Sequence, residues 1–305
     1  MTAKSRLFKS VAALSVSALA LTACSGSGDP TSSDQATAGG DSGEITIGVF
    51  NGWEEGIAVS ELWAYVLEEE GYDVDLQYAD PAPVYAGLST NDYNVTLDAW
   101  LPITHADYVE EYSDDIVDLG AWNEESSLHF AVNEDAPIES LEELAENADA
   151  FNNQIIGIDP GAGLTQITEN EVIPTYGLED MEYTTSGTPA MLQELESSIE
   201  AGENVVVTLW RPHWAYDAYP IRDLEDPEGA LGDVEYLHSY ANAEWAADEA
   251  NAEVVGWLEN FKMDSELLYS LENAMFNENQ DVDDYRPIIE EWAAENQEYV
   301  DGLTQ

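Results

Sequence analysis

Apolar and polar positions from residue 44 onward follow two alternating periods. Ile45, Ile47 and Val49 recur at every second position, which is typical of a β-strand, and residues 57–67 carry apolar positions at helical spacing until Gly71. The alternation continues with a strand pattern at 74–78, a helical pattern at 81–88 and a strand pattern at 93–97. This β-α-β-α-β order predicts a layered α/β domain.

A second set of alternating patterns begins after Asp135. It comprises a helix at 141–146, a strand at 154–158, helices at 163–171 and 189–200, and a strand at 205–210. Thr188 is the expected N-cap of the helix at 189–200, and Gly202 follows its end. The tail predicts three more helices, at 248–261, 265–276 and 283–300. We therefore expect two α/β lobes, with the tail packed back onto the first lobe.

The amino terminus indicates export. Lys4, Arg6 and Lys9 form a positive region, and residues 11–21 are an apolar stretch too short to span a bilayer comfortably. Leu-Thr-Ala-Cys, ending at Cys24, resembles a bacterial lipobox, which implies a lipid anchor on the outer face of the cell membrane. The alternative is that Cys24 only lies beside an ordinary cleavage site.

These patterns together predict five segments. They are a lipoprotein signal peptide at 1–23, a lipidated flexible tether rich in Gly and Ser at 24–43, the first part of lobe I at 44–130, lobe II at 131–225, and a return to lobe I with C-terminal helices at 226–305.

The charge balance narrows the possible partners. Seven Lys and Arg residues face 64 Asp and Glu residues, which gives a formal net charge of −57, while the 44% apolar content argues for a folded core. Nucleic acids and anionic lipid surfaces would be repelled. We expect a fold stabilised by salt, because the Debye length shrinks to about 3 Å at 1 M.

The sequence predicts no cofactor and no metal site. Cys24 is the only cysteine, so a cysteine-based metal cluster is excluded. The four histidines lack H-x-x-x-H spacing, and no EF-hand loop is present.

Tryptophans follow three of the predicted strands, where ligands of α/β sheets bind. Trp53, Trp100 and Trp210 each come near the start of a segment after a strand. A single Trp there is most simply an apolar plug of the core. Three at similar positions favour a shared cleft, where indole faces would attract a cation such as a quaternary ammonium.

The predicted strand at 154–158 is followed by a glycine-rich run instead of a tryptophan. Gly157, Ile158 and the following Asp-Pro-Gly-Ala-Gly run would place backbone N–H groups at the start of a helix, which is typical of an anion site. A glycine-rich turn can also be only a sharp bend. Together with a cation cage, it predicts a zwitterionic ligand with a trimethylammonium group and a carboxylate.

Six motifs in order identify a resemblance. GWEEGIA (52–58), APVYAGL (82–88), LDAWLPITH (97–105), GIDPGAG (157–163), TPAM (188–191) and WRPHW (210–214) resemble the glycine betaine-binding proteins of osmoprotectant ABC transporters, over about residues 44–262. The resemblance implies a two-lobed periplasmic-binding-protein-like fold of type II, in which each lobe is a mixed sheet flanked by helices and the ligand cleft lies between the lobes. It also implies hinged capture of the ligand and its delivery to a permease with an attached ATPase, without catalysis.

The resemblance also assigns site residues. Trp53, Trp100 and Trp210 would form a three-walled prism around the quaternary ammonium. The carboxylate would be held by the remaining residues of the predicted site, namely the backbone amides of Gly157 and Ile158 and the imidazole of His105.

Several alternatives stay open. A Trp-rich cleft also suits sugars, so a carbohydrate-binding lipoprotein is possible, as is a protein for choline or carnitine. A secreted acid–base hydrolase is less favoured, because pairs among 64 acids arise by chance and no G-x-S-x-G or P-loop motif is present.

Arg211 beside a cation cage is expected to point away and pair with a carboxylate, although an inward position could assist the carboxylate end. His213 is expected to pack, and no site role is expected for His129 or His238.

Overall fold

The computed structural model describes residues 43–279, 282 and 284–305. The predicted signal peptide, the lipidation at Cys24 and nearly all of the predicted tether lie outside these residues. Within them, nine strands form one mixed sheet. The strands are β1 (Glu44–Phe50), β2 (Asp73–Ala79), β3 (Val95–Leu101), β4 (Ile116–Asn133), β5 (Gln154–Gly157), β6 (Glu182–Thr185), β7 (Val206–Arg211), β8 (Ile221–Asp223) and β9 (Glu235–Asn242).

The strand order is β2-β1-β3-β9-β4-β7-β5-β6, with β8 also paired to β4. β1 pairs in parallel with β2 and β3, and β5 pairs in parallel with β6 and β7. β4 changes its partner along its length, from antiparallel pairing with β9 up to Ser126 to antiparallel pairing with β7 from Ser127. We call β1, β2, β3, β9 and residues 116–126 the first strand group, and residues 127–133 with β5, β6, β7 and β8 the second strand group.

Short helices connect and cover the strands. The α-helices are α1 (Glu54–Glu69), α2 (Pro81–Thr90), α3 (Ala106–Glu111), α4 (Gly163–Ile167), α5 (Ile173–Tyr176), α6 (Thr188–Ala201), α7 (Ala215–Ala218), α8 (Ala243–Ala247), α9 (Ala252–Asn260), α10 (Ser265–Glu272), α11 (Arg286–Glu295) and α12 (Gln297–Gly302). Short 3₁₀ segments at Leu141–Glu143, Ala145–Phe151 and Glu249–Asn251 and π-helical turns at Thr168–Val172 and Asn273–Asn277 complete the set. Among the described residues, no helix has both the length and the apolar character needed to cross a membrane.

The central strands are buried on both faces. β3 is buried at six of its seven positions and β7 at five of six, so neither shows the alternation of a half-exposed strand. Helices on the two sides of a parallel sheet produce this pattern. The candidate site lies near the carboxyl ends of these strands, where the penultimate residue of each strand is still buried.

The α/β fold class predicted from the sequence is confirmed, as are the strands near 45–49, 74–78 and 154–158. The predicted helix at 163–171 is wrong in detail, because α4 ends after five residues and continues as a π-helical turn. Thr188 is not an N-cap but the first residue of α6, and Gly187 has the extended cap conformation. Gly202 caps the helix end at a φ of 68°, as expected.

Four strands were missed, namely β4, β6, β8 and β9. β4 lacks a simple period because register shifts interrupt its pairing with β9 at three places. The predicted boundary between lobes at 130/131 stays a prediction, although β4 changes partner four residues earlier, after Ser126.

Candidate functional site

The three predicted tryptophans meet in one cavity between the two strand groups. About 260 Å³ of empty space lies there. The cavity is lined by Trp53, Glu55, Trp100, Thr104, Leu128, Ile158, Leu164 and Trp210. Each indole is only 2–3% exposed, so the three side chains belong to the buried core as well as to the lining of the cavity.

Strand ends and one turn position the indoles. Gly52, at a φ of 71°, turns the chain after β1, and Trp53 follows as the extended residue before α1. Trp100 and Trp210 were expected in loops, but each is the penultimate residue of its strand, β3 and β7. Their side chains are consequently held by regular pairing rather than by loop conformation.

The rings pack at angles to one another rather than in one stack. The centroids of Trp53 and Trp210 lie 6.5 Å apart at an interplanar angle of 52°. The imidazole of His105 stacks on Trp53 at 5.4 Å with an angle of 6°, and the Phe50 ring meets Trp53 edge to face at 5.1 Å. The face of an indole carries the negative part of its quadrupole, so an indole whose face borders the cavity would attract a cation there.

A carboxylate connects two of the indoles. Trp210 Nε1 donates to Glu55 Oε2 at 2.9 Å, and Trp100 Nε1 donates to Glu55 Oε1 at 3.3 Å and to Asp98 Oδ1 at 2.9 Å. Neither acid was predicted as a site residue. For Asp98 a signal was available, because it is the single charged residue of β3 and lies two positions before Trp100, and alternate strand residues share a face.

The approach of these two acids depends on a glycine. A Cβ atom at Gly56 would overlap the Asp98 carboxylate, so only glycine lets the first turn of α1 lie this close to β3.

Burial changes the ionisation of both acids. Burial raises the pKa of Glu55 to about 8, although its backbone hydrogen bond and the two indole N–H donors act in the opposite direction. Burial also raises the pKa of Asp98 well above its usual range, and the Glu55 carboxylate adds to this. The cavity thus holds carboxyl groups that are costly to ionise while no cation is bound.

Arg211 gives these acids no counter-charge. It follows Trp210 in β7 and so points to the opposite face of the strand. Its Nε donates to Asp223 Oδ2 at 2.8 Å, and its guanidinium lies 3.5 Å from the centre of the Tyr216 ring. The expected pairing with a carboxylate is confirmed.

His105 lies beside the cavity rather than in its lining. Its Nδ1 accepts a hydrogen bond of 2.9 Å from the backbone N–H of Trp100, which leaves the hydrogen of the neutral ring on Nε2. Burial lowers the pKa of His105 to about 3, so the ring is neutral at physiological pH. Nε2 is a buried donor without a protein acceptor among the described residues. A ligand carboxylate could supply that acceptor.

Of the two residues predicted to hold an anion through their backbone amides, one lines the cavity. Ile158 lines the cavity, whereas Gly157 ends β5 against Tyr183, whose hydroxyl a Cβ atom at Gly157 would overlap. Gly157 therefore has a packing reason to be glycine that needs no ligand. At Gly163 an added Cβ would lie 2.6 Å from the backbone oxygen of Thr104, so the two strand groups approach closely there.

The other histidines have structural neighbours. His213 is fully buried, with Nδ1 accepting from Ala215 N at 3.1 Å and its ring 4.7 Å from that of Trp210. His129 and His238 face Asp223 and Asp118. In the part of the chain that the structure describes, no three His, Cys, Asp or Glu side chains are placed to hold a metal ion.

A mixed α/β sheet with flanking helices and an aromatic cavity between two strand groups defines a solute-binding protein of the type II periplasmic class. Comparison with known proteins gives the family. The OpuAC model, described as the substrate binding domain of ABC-type glycine betaine transport system, matches residues 43–295. The chain belongs to this family, which consists of transport binding domains and not of enzymes.

Individual relatives agree with this assignment. The glycine betaine/carnitine transport binding protein GbuC of Listeria monocytogenes is 32% identical over 150 residues, which cover 48% of this chain and 47% of that protein. The chain thus matches about half the length of this curated relative.

Two solved structures share the fold over most of the chain. The ProX protein of Borrelia burgdorferi, a glycine betaine, L-proline transporter component, is 29% identical with a TM-score of 0.79, covering 86% of this chain and 97% of its own. The lactococcal OpuAC complexed with glycine betaine is 24% identical with a TM-score of 0.78, covering 86% and 99%.

Proposed function

We propose that this protein is the extracytoplasmic solute-binding component of an ABC importer that captures glycine betaine or a related quaternary ammonium solute for osmoprotection. The observation that carries the proposal is the meeting of three indoles in one cavity between the two strand groups. Trp53, Trp100 and Trp210 surround the ammonium group. Each face contributes about 1–2 kcal/mol when desolvated.

The carboxylate of the ligand lies at the other end of the cavity. The Nε2–H of His105 and the backbone amides of Gly157 and Ile158 hold it. The buried and unpartnered state of His105 Nε2 supports this role, because a buried donor without an acceptor is costly.

Capture follows closure of the two lobes. The first strand group brings Trp53 and Trp100 and the second brings Trp210, so the cage is complete only when both are together. Cys24 tethers the protein to the outer face of the membrane, and the closed form delivers its ligand to a permease with its ATPase subunit. The close approach of Thr104 and Gly163 supports a closed arrangement in this structure.

The mostly apolar lining favours a methylated cation over a sugar. Sugar hydroxyls need several hydrogen-bond partners when they are buried, and apart from the Glu55 and Thr104 side chains the lining consists of apolar side chains and indoles. Calorimetry in molar salt against glycine betaine, proline betaine, carnitine, choline, ectoine and maltose tests this. We expect saturable binding of at least one quaternary ammonium compound without its consumption, and binding of maltose alone would refute the proposal.

The role of His105 has a separate test. His105→Ala should weaken glycine betaine binding more than choline binding, because choline has no carboxylate to lose a hydrogen bond. His129→Ala, at a histidine outside the cavity, serves as the control. Equal losses for both ligands in the His105 variant would remove this residue from the carboxylate end.

A further inference from the structure

Glu55 spans the cavity from one strand group to the other. It lies in the first turn of α1, which packs on the first strand group, and it is 1% exposed. Its Oε2 accepts from Trp210 of the second group at 2.9 Å, and its Oε1 accepts from Trp100 of the first at 3.3 Å. One carboxylate therefore fixes the edges of two indoles that belong to different halves of the site.

Every charged group described around Glu55 is acidic or is turned to another partner. Glu54 adjoins it in α1, Asp98 faces it from β3, and the buried Glu272 faces it from α10. His213, on the segment after β7, lies 3.4 Å from Glu54 Oε2 rather than against Glu55.

The basic side chains of the described residues are engaged elsewhere. Arg211 pairs with Asp223, Arg222 with Glu139, and Arg286 with Glu68 and Glu290, while Lys262 donates to the backbone oxygen of Ala121. A buried carboxylate without a cationic partner is unfavourable unless something else brings the positive charge.

We propose that Glu55 is a specificity-determining residue of the cage, whose carboxylate orients the indoles of Trp100 and Trp210 and supplies the counter-charge that selects a ligand with a cationic head group over one with an uncharged head group of the same shape. This inference rests on the proposed function. The ligand ammonium takes the place of the missing cation, in a space with little water to screen the attraction.

Ligand binding is coupled to release of the proton on the Glu55 carboxyl group. Because burial raises the pKa of Glu55 to about 8, the empty site holds a proton on this carboxyl group at neutral pH. An arriving ammonium favours the anion, so the proton leaves to solvent as the ligand binds, and no covalent bond changes. Below pH 8 the affinity for a quaternary ammonium compound should therefore rise with pH.

The test uses the folded mature protein in molar salt with two ligands that share a carboxylate and a shape. Glycine betaine carries the charged nitrogen, and 3,3-dimethylbutanoate carries carbon in its place. Glu55→Gln should weaken glycine betaine binding at least tenfold and leave binding of 3,3-dimethylbutanoate, whose head group is uncharged, within about twofold. Calorimetry at pH 7 in two buffers of different ionisation enthalpy should show proton release for the native chain and much less for Glu55→Gln.

Glu54→Gln is the matched control, because it removes the same charge one residue away at a side chain that faces His213 and not the indoles. Its loss of affinity should be smaller than that of Glu55→Gln. Equal losses in the two variants, or unchanged binding and proton release in Glu55→Gln, would overturn the proposal.

Failure of the proposed function would look different. In that case no quaternary ammonium compound binds the native chain. The contact between Glu55 and the indoles is then tested in the ligand-free protein by following tryptophan fluorescence against pH. The fluorescence should titrate near pH 8 in the native chain and not in Glu55→Gln. Persistence of that titration in Glu55→Gln would sink the inference independently of any ligand.

Discussion

Glu55 and Glu235 are both 1% exposed, yet their surroundings differ. Glu235, at the start of β9, accepts hydrogen bonds from the backbone N–H groups of Ile103 and Thr104 at 2.9 and 2.8 Å, and also from the Thr104 hydroxyl. Glu55 accepts from two indoles and has one backbone hydrogen bond, and it borders an open space.

The contrast separates a structural carboxylate from one prepared for a ligand. Several N–H and O–H donors satisfy an ionised carboxylate in the interior, so Glu235 can hold the loop after β3 in place. The side-chain donors to Glu55 are indole N–H groups, which are weaker than the donors to Glu235, and its neighbours are acidic. Such an environment raises the pKa of a buried carboxyl group. Burial alone therefore does not indicate which acid is functional.

The largest expected effect is on stability, and it tests the structural role of Glu235. Glu235→Ala leaves two backbone N–H groups and a hydroxyl without their acceptor, so it should lower the free energy of unfolding by about 2–4 kcal/mol. Chemical denaturation in molar salt measures this. Glu235→Gln, which keeps one acceptor oxygen, should lose less, and a stability of Glu235→Ala equal to the native value would contradict the assigned role.

The next effect concerns the cage. Trp100→Ala removes one face of the cage and one of the two indole donors to Glu55, while Glu235 keeps its three donors. Betaine binding should weaken at least tenfold, about 1.4 kcal/mol, by calorimetry. Trp257→Ala is the control, because this ring contacts Tyr72 outside the cavity. An unchanged dissociation constant in Trp100→Ala would remove this indole from the cage.

A third effect sharpens the contrast through the pH dependence of stability. The pKa of Glu55 is about 8 in the folded chain against 4.5 for a free side chain, so between these values unfolding releases a proton. Rising pH should then lower the free energy of unfolding by up to about 1.4 kcal/mol per pH unit for a fully linked proton.

Denaturation of the ligand-free protein between pH 5 and 8 measures this slope. It should become shallower in Glu55→Gln but not in Glu291→Gln, which changes an exposed acid of α11. Some slope should remain in Glu55→Gln, because burial raises the pKa of Asp98 and Glu272 as well. An unaltered slope in Glu55→Gln would contradict the assigned ionisation.

Sequence patterns predicted the fold class and the meeting of the indoles, because strand periods and Trp positions are local signals. They missed β9 and the partner change of β4, since antiparallel strands returned from distant positions carry no local mark of their partners. They also missed Glu55 as a site residue. Among 64 acids no local feature distinguishes a carboxylate that bonds two indoles from one that faces solvent.

The continuity of β4 has a mechanical consequence. Both strand groups contain part of this one strand, and its pairing with β9 is already irregular between Asn123 and Ser126, just before its pairing with β7 begins. A rotation of one group against the other would be absorbed there as torsion of a few peptide units, without breaking a regular ladder. Such a flexure favours a single axis of motion. The two strand groups would then return to the same alignment after each cycle of opening and closing.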